Sequence, residues 1–352
     1  MGGDGIGPDL VRHATRALLR LGELDGFEVE LIDLPNSGAH YRSTGVLLDD
    51  DTLDALRSCE SLLFGAAGDP ELPPGFVERA LILDVSRFLD LHVGVRAAYL
   101  YDERFTPLKS TGRGDIDLVI VRDTTEGELP LPGGRMHQGT PYEAAASVLL
   151  HTRHGVERSI RYAFDVARTR RGRVSLVAQS NVLVPHQLWE DVLRDVAAEQ
   201  PDIDVEALYP DHAAMKCVTE PKTFDVIVTN LLFGGVLTDL IAGVVGGMGL
   251  IGSSRVNTET GFGMFEPAHG SAPKYTGMNV VSPVATFRAL AMLLDNIGEP
   301  RAASRLEAAI DESLASGAVA GVTTRSGTST SEAADVIIDS LAMPGAERRA
   351  AR

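Results

Sequence analysis

Short apolar runs alternate with segments of helical periodicity along most of the chain, and this alternation restricts the fold more than any other feature. The runs are rich in Val and Ile, which suits strands buried on both faces of a sheet. The predicted strands are 28–34, 61–64, 117–123, 173–178 and 224–229. The predicted helices are 8–21, 156–170, 186–199, 283–296, 302–314 and 331–341. Such an alternation predicts an α/β fold with a mostly parallel sheet.

Length and charge narrow the classes of function. A chain of 352 residues exceeds a typical single domain, which predicts two domains. The net charge of −17 repels phosphate groups and argues against nucleic acid or a membrane surface as a partner. The apolar stretch 226–251 contains Asn230, Asp239 and six glycines, so it predicts a buried strand and helix and no membrane span. Cys59 and Cys217 form neither a metal-ligand spacing nor a disulfide framework, and no leader pattern opens the sequence, so we expect a cytoplasmic protein.

Two glycine-containing loops are the sequence patterns that could bind a ligand. The first, GDGIGPD at 3–9, is a turn before a helix and lacks the G-x-G-x-x-G pattern of a dinucleotide-binding turn. The second, MFEPAHGSAPKYTG at 264–277, offers backbone amides, a lysine and a tyrosine that can wrap a phosphorylated nucleotide. Taken separately, each pattern favours a structural interpretation, a turn for the first and a surface loop for the second.

Taken together and in this order, the two loops resemble the β-decarboxylating dehydrogenases, the family of isopropylmalate, isocitrate, homoisocitrate and tartrate dehydrogenases. The resemblance covers nearly the whole chain, and its length and composition favour the isopropylmalate branch. The intermediate landmarks are VIVR at 119–122, TEG at 125–127, GTP at 139–141, SNVL at 180–183, FDVIVT at 224–229, LFG at 232–234 and TDL at 238–240. The resemblance implies an isopropylmalate dehydrogenase-like fold of two α/β domains around a cleft, with a parallel or mixed sheet.

The same resemblance implies a division of the chain and an assembly. Residues 1–91 plus 246–352 would form the nucleotide-binding domain, and 92–245 the substrate and dimerisation domain. Residues 124–148 would be an arm that interlocks with a second subunit. Active sites of the family borrow residues across the dimer, so we expect a homodimer, with a hetero-oligomer containing an active paralogue as the alternative.

Arginines matching the family's substrate-binding positions indicate a small anionic carboxylate substrate. The family oxidises a 2-hydroxy acid by hydride transfer to a nicotinamide and then releases a carboxylate as carbon dioxide. Arg96 and Arg122 match arginines that bind the substrate's carboxylates, for which the guanidinium fork is suited. A third family arginine falls on Ser86, and the neighbouring Arg87 would point about 100° away on a helix.

The family's acid/base groups are replaced. Its lysine falls on Gln179 and its tyrosine on Leu129, and neither side chain titrates. A general acid/base group contributes typically about 10²–10⁴ in rate, so this change predicts loss of the standard reaction unless another group substitutes. Three residues are candidates for that substitution: His137, His212 and Lys216.

The family's divalent metal site is incomplete. Asp211 and Asp239 match its aspartate ligands, but the position four residues before Asp239, normally aspartate, is Gly235. Magnesium keeps several waters and tolerates few protein ligands. The sequence therefore predicts Mg²⁺ or Mn²⁺ binding that is weak.

The nucleotide-binding positions follow the family pattern. They are Asn181, Glu266, His269, Gly270, Ser271 and Ala272. NAD-dependent members carry an aspartate where this chain has Lys274 followed by Tyr275, with Val281 further on, a trio that resembles NADP-dependent isocitrate dehydrogenases. A carboxylate repels a 2′-phosphate whereas ammonium and phenol groups bind it. NADP is therefore the expected cofactor and NAD the alternative.

Three functions remain compatible with these residues. The first is a diverged dehydrogenase that acts on a malate derivative. The second is a catalytically silent subunit that binds nucleotide or substrate and regulates an active partner. The third is an enzyme that uses the same pocket for a non-redox step such as decarboxylation.

Overall fold

The computed structural model describes residues 1–128, 132–321 and 327–342, and its residues group into two compact units. The first unit comprises Met1–Leu91, Arg96–Ile116 and Ala242–Arg352, and the second comprises His92–Val95 and Asp117–Ile241. Residues 96–116, which the sequence-based division put in the second domain, pack with the first unit. Two contacts hold them there: the Arg288 guanidinium donates to the Ala97 carbonyl, and Arg113 pairs with Asp311.

The helices of the chain differ widely in length. The short helices α4 and α5 flank a π-helical turn at Arg79–Asp84. The α-helices are α1 Gly7–Asp25, α2 Gly38–Thr44, α3 Asp50–Ser58, α4 Phe76–Glu78, α5 Val85–Phe88, α6 Arg153–Arg168, α7 Val184–Glu199, α8 Pro210–Thr219, α9 Leu231–Val245, α10 Val284–Asn296, α11 Pro300–Ala315 and α12 Thr330–Ser340. Among the described residues, no helix is both long enough and apolar enough to cross a membrane.

Most of the strands pair in parallel. The strands are β1 Ser61–Leu63, β2 Val93–Tyr99, β3 Asp117–Asp123, β4 Gly133–Met136, β5 Ala144–Ser147, β6 Arg173–Val177, β7 Asp204–Leu208, β8 Val226–Thr229, β9 Gly252–Val256 and β10 Gly263–Pro267. In the second unit the order is β3-β8-β6-β7, all parallel. In the first unit β10 pairs in parallel with β1 and antiparallel with β9, and β4 and β5 form a separate antiparallel hairpin. The α/β fold with a mostly parallel sheet is thus confirmed.

Four of the five predicted strands form, and each is an apolar run with buried residues. They are β1, β3, β6 and β8. The six predicted helices correspond to α1, α6, α7, α10, α11 and α12. The membrane-like stretch 226–251 forms β8 followed by α9, as predicted.

The predicted strand 28–34 is wrong. The segment lies between α1 and α2 and forms no strand, and Leu31 and Ile32 are about half exposed. Alternating apolar residues favour an extended backbone, but a strand also needs a neighbour whose N–H and C=O groups complete the ladder. No described strand pairs with this segment.

The core of the first unit lies where α1, α10, α11 and α12 pack together. Small and large apolar side chains interlock there, including Ala14 and Leu21 from α1 and Phe287 and Leu290 from α10. A second apolar cluster surrounds Phe64, where β1 ends. The first cluster holds α1 in place and the second holds the end of β1. The glycine-rich turn at 3–9 leads into α1, and its Gly3 pairs with Ala66 just after β1.

Candidate functional site

The two loop motifs of the sequence contact each other in the first unit. The backbone N–H of Ile6 donates to the Ser271 carbonyl at 2.9 Å. Gly5 adopts a left-handed φ of +59°, and a Cβ at this position would lie 2.0 Å from the Ser271 oxygen. Only glycine permits this approach, because any other residue would meet both backbone strain and a clash. The turn at the start of α1 therefore supports the loop that follows β10.

Asp4 holds this turn, a role that sequence reasoning missed. Its carboxylate accepts hydrogen bonds from the N–H groups of Gly38, at 2.8 Å, and Gly68, at 3.1 Å. Its own N–H donates to the Ala66 carbonyl. Burial raises the pKa of Asp4, although the backbone hydrogen bonds oppose that shift. The sequence offers an aspartate set between glycines as a signal, but the two donors lie 34 and 64 residues away along the chain and are brought together only by the fold.

The loop after β10 places a lysine and a tyrosine side by side. A single 3₁₀ turn covers Pro273–Tyr275, and Lys274 Nζ lies 4.6 Å from the centre of the Tyr275 ring. Lys274 is exposed. Val281 is fixed by Thr330 at the start of α12, which both accepts from its N–H and donates to its carbonyl. Residues 267–282 contain no carboxylate. An ammonium and a phenol on a segment without carboxylates form a donor set that fits a phosphate group.

The remaining predicted nucleotide-binding residues of the loop differ in exposure. Ser271 is buried, and Gly270 faces open space, since a Cβ there would meet no atom within 4 Å. His269 Nδ1 lies 3.0 Å from the Gly270 carbonyl, and burial lowers the pKa of His269. Ala272 adopts a left-handed φ of +39°, which bends the chain into the 3₁₀ turn. The loop therefore presents neutral polar groups around one charged side chain.

Glu266 is shared by two arginines. Its Oε1 lies 3.4 Å from Nε of Arg255 on β9 and 3.8 Å from Nη2 of Arg96 on β2. All three side chains are buried. Sequence reasoning assigned Arg96 to substrate and Glu266 to cofactor but missed Arg255. The signal for Arg255 was a charged residue within a fully buried strand, which requires a partner.

Ser86 lies at a buried position. Its Oγ makes no hydrogen bond within the described part of the chain. Arg87 is exposed and lies 3.6 Å from Asp84, one helical turn away. The position at which the resemblance predicts a substrate-binding arginine therefore holds a buried hydroxyl, and the neighbouring Arg87 is exposed.

In the second unit, Arg122 at the end of β3 lies in a slot between two glycines. A Cβ on Gly94 would lie 3.1 Å from Cγ of Arg122, and a Cβ on Gly234 would lie 2.9 Å from its Cδ. The arginine is buried. Gly235 is less crowded, because a Cβ there would meet only Nη1 of Arg122 at 3.9 Å. Both close glycines are needed to admit the guanidinium, which places it at the N-terminal turn of α9.

Gln179 and Asn181 lie together after β6. Gln179 Nε2 donates to Asn181 Oδ1 at 2.7 Å. The backbone N–H of Gln179 donates to Nδ1 of His186 at 2.9 Å, and Nε2 of His186 lies 3.3 Å from Asn230 Nδ2 and 3.9 Å from Glu128. Burial lowers the pKa of His186. His186, which sequence reasoning missed, therefore positions the loop as a neutral acceptor.

The predicted substitutes for the acid and base are spread over the second unit. Leu129 lies outside the described residues. His137, with a left-handed φ of +52°, and His212 are exposed. Lys216 forms an ion pair with Glu206 at 3.0 Å, and so its ammonium group is already paired.

The predicted metal ligands are exposed carboxylates on two helices. Asp211 at the start of α8 accepts from the N–H of His212, and Asp239 lies one turn after Gly235 on α9. Neither belongs to a described group of three ligating side chains. Among the described residues, no third histidine, cysteine or carboxylate joins either aspartate in such a group, so the magnesium site stays a prediction.

The isocitrate/isopropylmalate dehydrogenase family matches residues 1–337 of this chain. The chain belongs to this family. It is 40% identical over 344 residues to the 3-isopropylmalate dehydrogenase of Corynebacterium glutamicum, covering 97% of this chain and 98% of that protein. These values confirm the resemblance that the two loop motifs indicated.

Solved structures of the family support the same fold. The isocitrate dehydrogenase of Methylococcus capsulatus superposes with a TM-score of 0.87 and 34% identity, covering 97% of this chain and 98% of that one. The apo β-decarboxylating dehydrogenase of Thermococcus kodakarensis gives 0.76 and 29%, covering 97% and 94%. Family membership fixes the fold and the oxidoreductase class of the relatives, whereas the role of each substituted residue stays a prediction.

Proposed function

We propose that this member of the isocitrate/isopropylmalate dehydrogenase family is an NADP-dependent oxidoreductase that acts on a carboxylated 2-hydroxy acid of the malate type. The contact between the turn 3–9 and the loop after β10 carries the proposal. It supports Lys274 and Tyr275 on a segment without carboxylates, where a 2′-phosphate would be bound. NADP, when bound, supplies a hydride acceptor.

The side chains of the second unit support a carboxylate substrate. Arg122 is held in its glycine slot with its guanidinium at the N-terminal turn of α9, and a substrate carboxylate would pair with it. Gln179 and Asn181 offer amide groups that orient a polar substrate through hydrogen bonds. Neither amide accepts the proton that a hydroxy acid loses on oxidation. We therefore propose that the standard oxidative decarboxylation is slowed or replaced.

The test is a cofactor and substrate screen on the purified protein. NADP and NAD are each incubated with a panel of malate derivatives, isopropylmalate and isocitrate, and the absorbance of the reduced cofactor is followed. We expect reduction with NADP and one of the less common malate derivatives. Fast turnover of isopropylmalate with NAD would contradict the proposed cofactor and the proposed divergence together.

A catalytically silent subunit is the second candidate, and Gln179 favours it. An amide at the position of a general base permits ligand binding without proton transfer. In this case NADP binding would be retained while every substrate in the screen fails. Co-expression with a complete paralogue would then raise the paralogue's activity, whereas an unchanged activity would remove this candidate.

We also propose a homodimer, and the hairpin of β4 and β5 supports it. Both strands are exposed along their length, and Met136, Tyr142 and Val148 present apolar surface near them. Exposed apolar patches of this kind mark interaction surfaces. Light scattering should give twice the chain mass, and charged replacements of Met136 and Val148 should give the monomer.

A further inference from the structure

Three ligating side chains converge in the second unit, away from the aspartates predicted to bind metal. Asp123 ends β3, Glu126 follows in the next turn, and His151 comes just before α6. One ligand atom from each side chain lies within 4.8 Å of the others. Asp123 and His151 are buried and Glu126 is half-buried. This combination of two carboxylates and one imidazole is not required by anything described above.

Neighbouring groups hold both carboxylates in place. Oδ1 of Asp123 accepts from the N–H and Oγ1 of Thr125 and from the N–H of Glu126, at 2.9–3.2 Å. The Glu126 carboxylate accepts from the N–H of Thr152 at 2.7 Å and from its Oγ1 at 2.6 Å. Hydrogen bonds of this type orient the carboxylates of metal sites. Oδ2 of Asp123 is left as the free oxygen, buried and without a hydrogen bond in the described structure.

His151 provides a second, independent observation that points to a ligand. Both of its ring nitrogens are buried, and neither has a hydrogen-bond partner among the described residues. The ring packs near His186, with centroids 5.6 Å apart, and against the edge of Trp189 at 5.5 Å. A buried ring nitrogen without a hydrogen bond is energetically costly, so such a ring normally has a partner. A cation between the three side chains would satisfy one nitrogen and the free oxygen of Asp123.

The electrostatics of the cluster suit a bound cation. Burial lowers the pKa of His151 to about 4, which keeps the imidazole in its neutral, metal-binding form. Burial, with the nearby Glu126, raises the pKa of Asp123. Two adjacent carboxylates in a buried setting repel each other, and a divalent cation would balance both charges.

We propose that Asp123, Glu126 and His151 bind a zinc ion. A mixed imidazole and carboxylate set suits zinc, whereas magnesium prefers oxygen ligands alone. Zinc ligands at about 2.0–2.2 Å in tetrahedral geometry lie about 3.4 Å apart, so small rotations of these side chains would close the site. Water would take the fourth position. The ion would tie the segment after Arg122 to the start of α6.

The test is metal binding by the full-length protein after treatment with EDTA. Cobalt(II) chloride is titrated first, because a tetrahedral cobalt site with nitrogen and oxygen ligands gives a visible absorption band, and zinc chloride is then used to displace it. The variants His151→Asn and Asp123→Asn remove one ligand each with little change of shape. His154→Asn, at an exposed histidine in the first turn of α6, and Asp165→Asn, at an exposed carboxylate later in α6, are the matched controls.

We expect one equivalent of cobalt in the wild type and in both controls, and a loss of affinity of about 100-fold or more in either ligand variant. Zinc should raise the unfolding temperature of the wild type and leave that of His151→Asn unchanged. The proposal is overturned if the wild type gives no cobalt band, or if either ligand variant binds as the wild type does. Because the readout is metal binding, this result is independent of whether the proposed dehydrogenase function holds.

Discussion

Nη2 of Arg96 lies 3.8 Å from Oε1 of Glu266, and both side chains are less than a tenth exposed. The two residues come from distant parts of the sequence, and each had been assigned to a different ligand. Their pairing, with Arg255 on the same carboxylate, gives two buried guanidinium groups for one carboxylate. The buried carboxylate of Glu266 therefore contacts guanidinium groups from two strands, β2 and β9.

Removal of the Glu266 charge should destabilise the protein strongly. The variant Glu266→Gln would leave Arg96 and Arg255 without their shared carboxylate, and breaking a buried pair in this way costs about 3–5 kcal/mol. Urea unfolding measures the change. Glu23→Gln, whose exposed carboxylate pairs with Arg20, is the control and should change stability by less than about 1 kcal/mol. Equal effects of the two variants would show that the buried cluster contributes no more than a surface ion pair.

Cofactor choice should depend on Lys274. A charge-assisted hydrogen bond to the 2′-phosphate is worth roughly 1.5–3 kcal/mol, so NADPH should bind at least about tenfold more tightly than NADH. Lys274→Asp should reverse this preference by adding repulsion, whereas Lys109→Asp, a change at another exposed lysine, should preserve it. Fluorescence titration with both reduced cofactors measures the ratio, which should shrink at high salt. Equal affinities of the wild type for NADPH and NADH would refute the proposal that Lys274 binds the 2′-phosphate.

A carboxylate at position 235 should restore metal binding. A Cβ on Gly235 meets only Nη1 of Arg122 at 3.9 Å, so the variant Gly235→Asp has room for its side chain. It would add a ligand one turn before Asp239. Isothermal titration with Mg²⁺ should show no micromolar binding to the wild type and at least about tenfold tighter binding to the variant. Gly243→Asp, at an open position later in α9, is the control. An equal gain in Mg²⁺ affinity in this variant would show that any added negative charge on the helix is sufficient.

Restoring the family's acid and base should raise the rate of its standard reaction. The wild type should turn over isopropylmalate and isocitrate near background, because Gln179 and Leu129 do not titrate. The double variant Gln179→Lys with Leu129→Tyr should gain activity, limited by Ser86 and Gly235. Steady-state kinetics with both cofactors measure the effect. Wild-type turnover of about 10 s⁻¹, ordinary for an enzyme, would show that the reaction proceeds without a lysine at position 179 and a tyrosine at position 129.

Acid should destabilise the loop that His186 holds. Nδ1 of His186 accepts the N–H of Gln179, and burial lowers the pKa of His186 in the folded state below that of the unfolded chain. Below about pH 6.5 the unfolded chain therefore binds more protons than the folded state. The stability that the neutral His186 contributes is lost as the pH falls below that value. In EDTA, His186→Gln should flatten the dependence of the unfolding free energy on pH by up to about 1.4 kcal/mol per pH unit. An unchanged slope would mean that His186 does not titrate on unfolding.

The sequence by itself determined the fold class and the family. The run 118–121 forms the middle of a strand because its four apolar side chains can be covered on both faces of the sheet. The loop motifs likewise identified the family through their residue order alone. The local pattern failed at 28–34, where no described strand pairs with the segment.

Only the tertiary structure decided which distant residues meet. Gly5 is needed because the Ser271 carbonyl packs against it, and Gly94 and Gly234 are needed because Arg122 passes between them. The pairing of Arg255 with Glu266, and the convergence of Asp123, Glu126 and His151, depend on strand pairing and on hydrogen bonds between separate segments. Periodicity and composition describe what a residue does relative to its neighbours in sequence. They carry no information on which side chain lies opposite once the chain has folded.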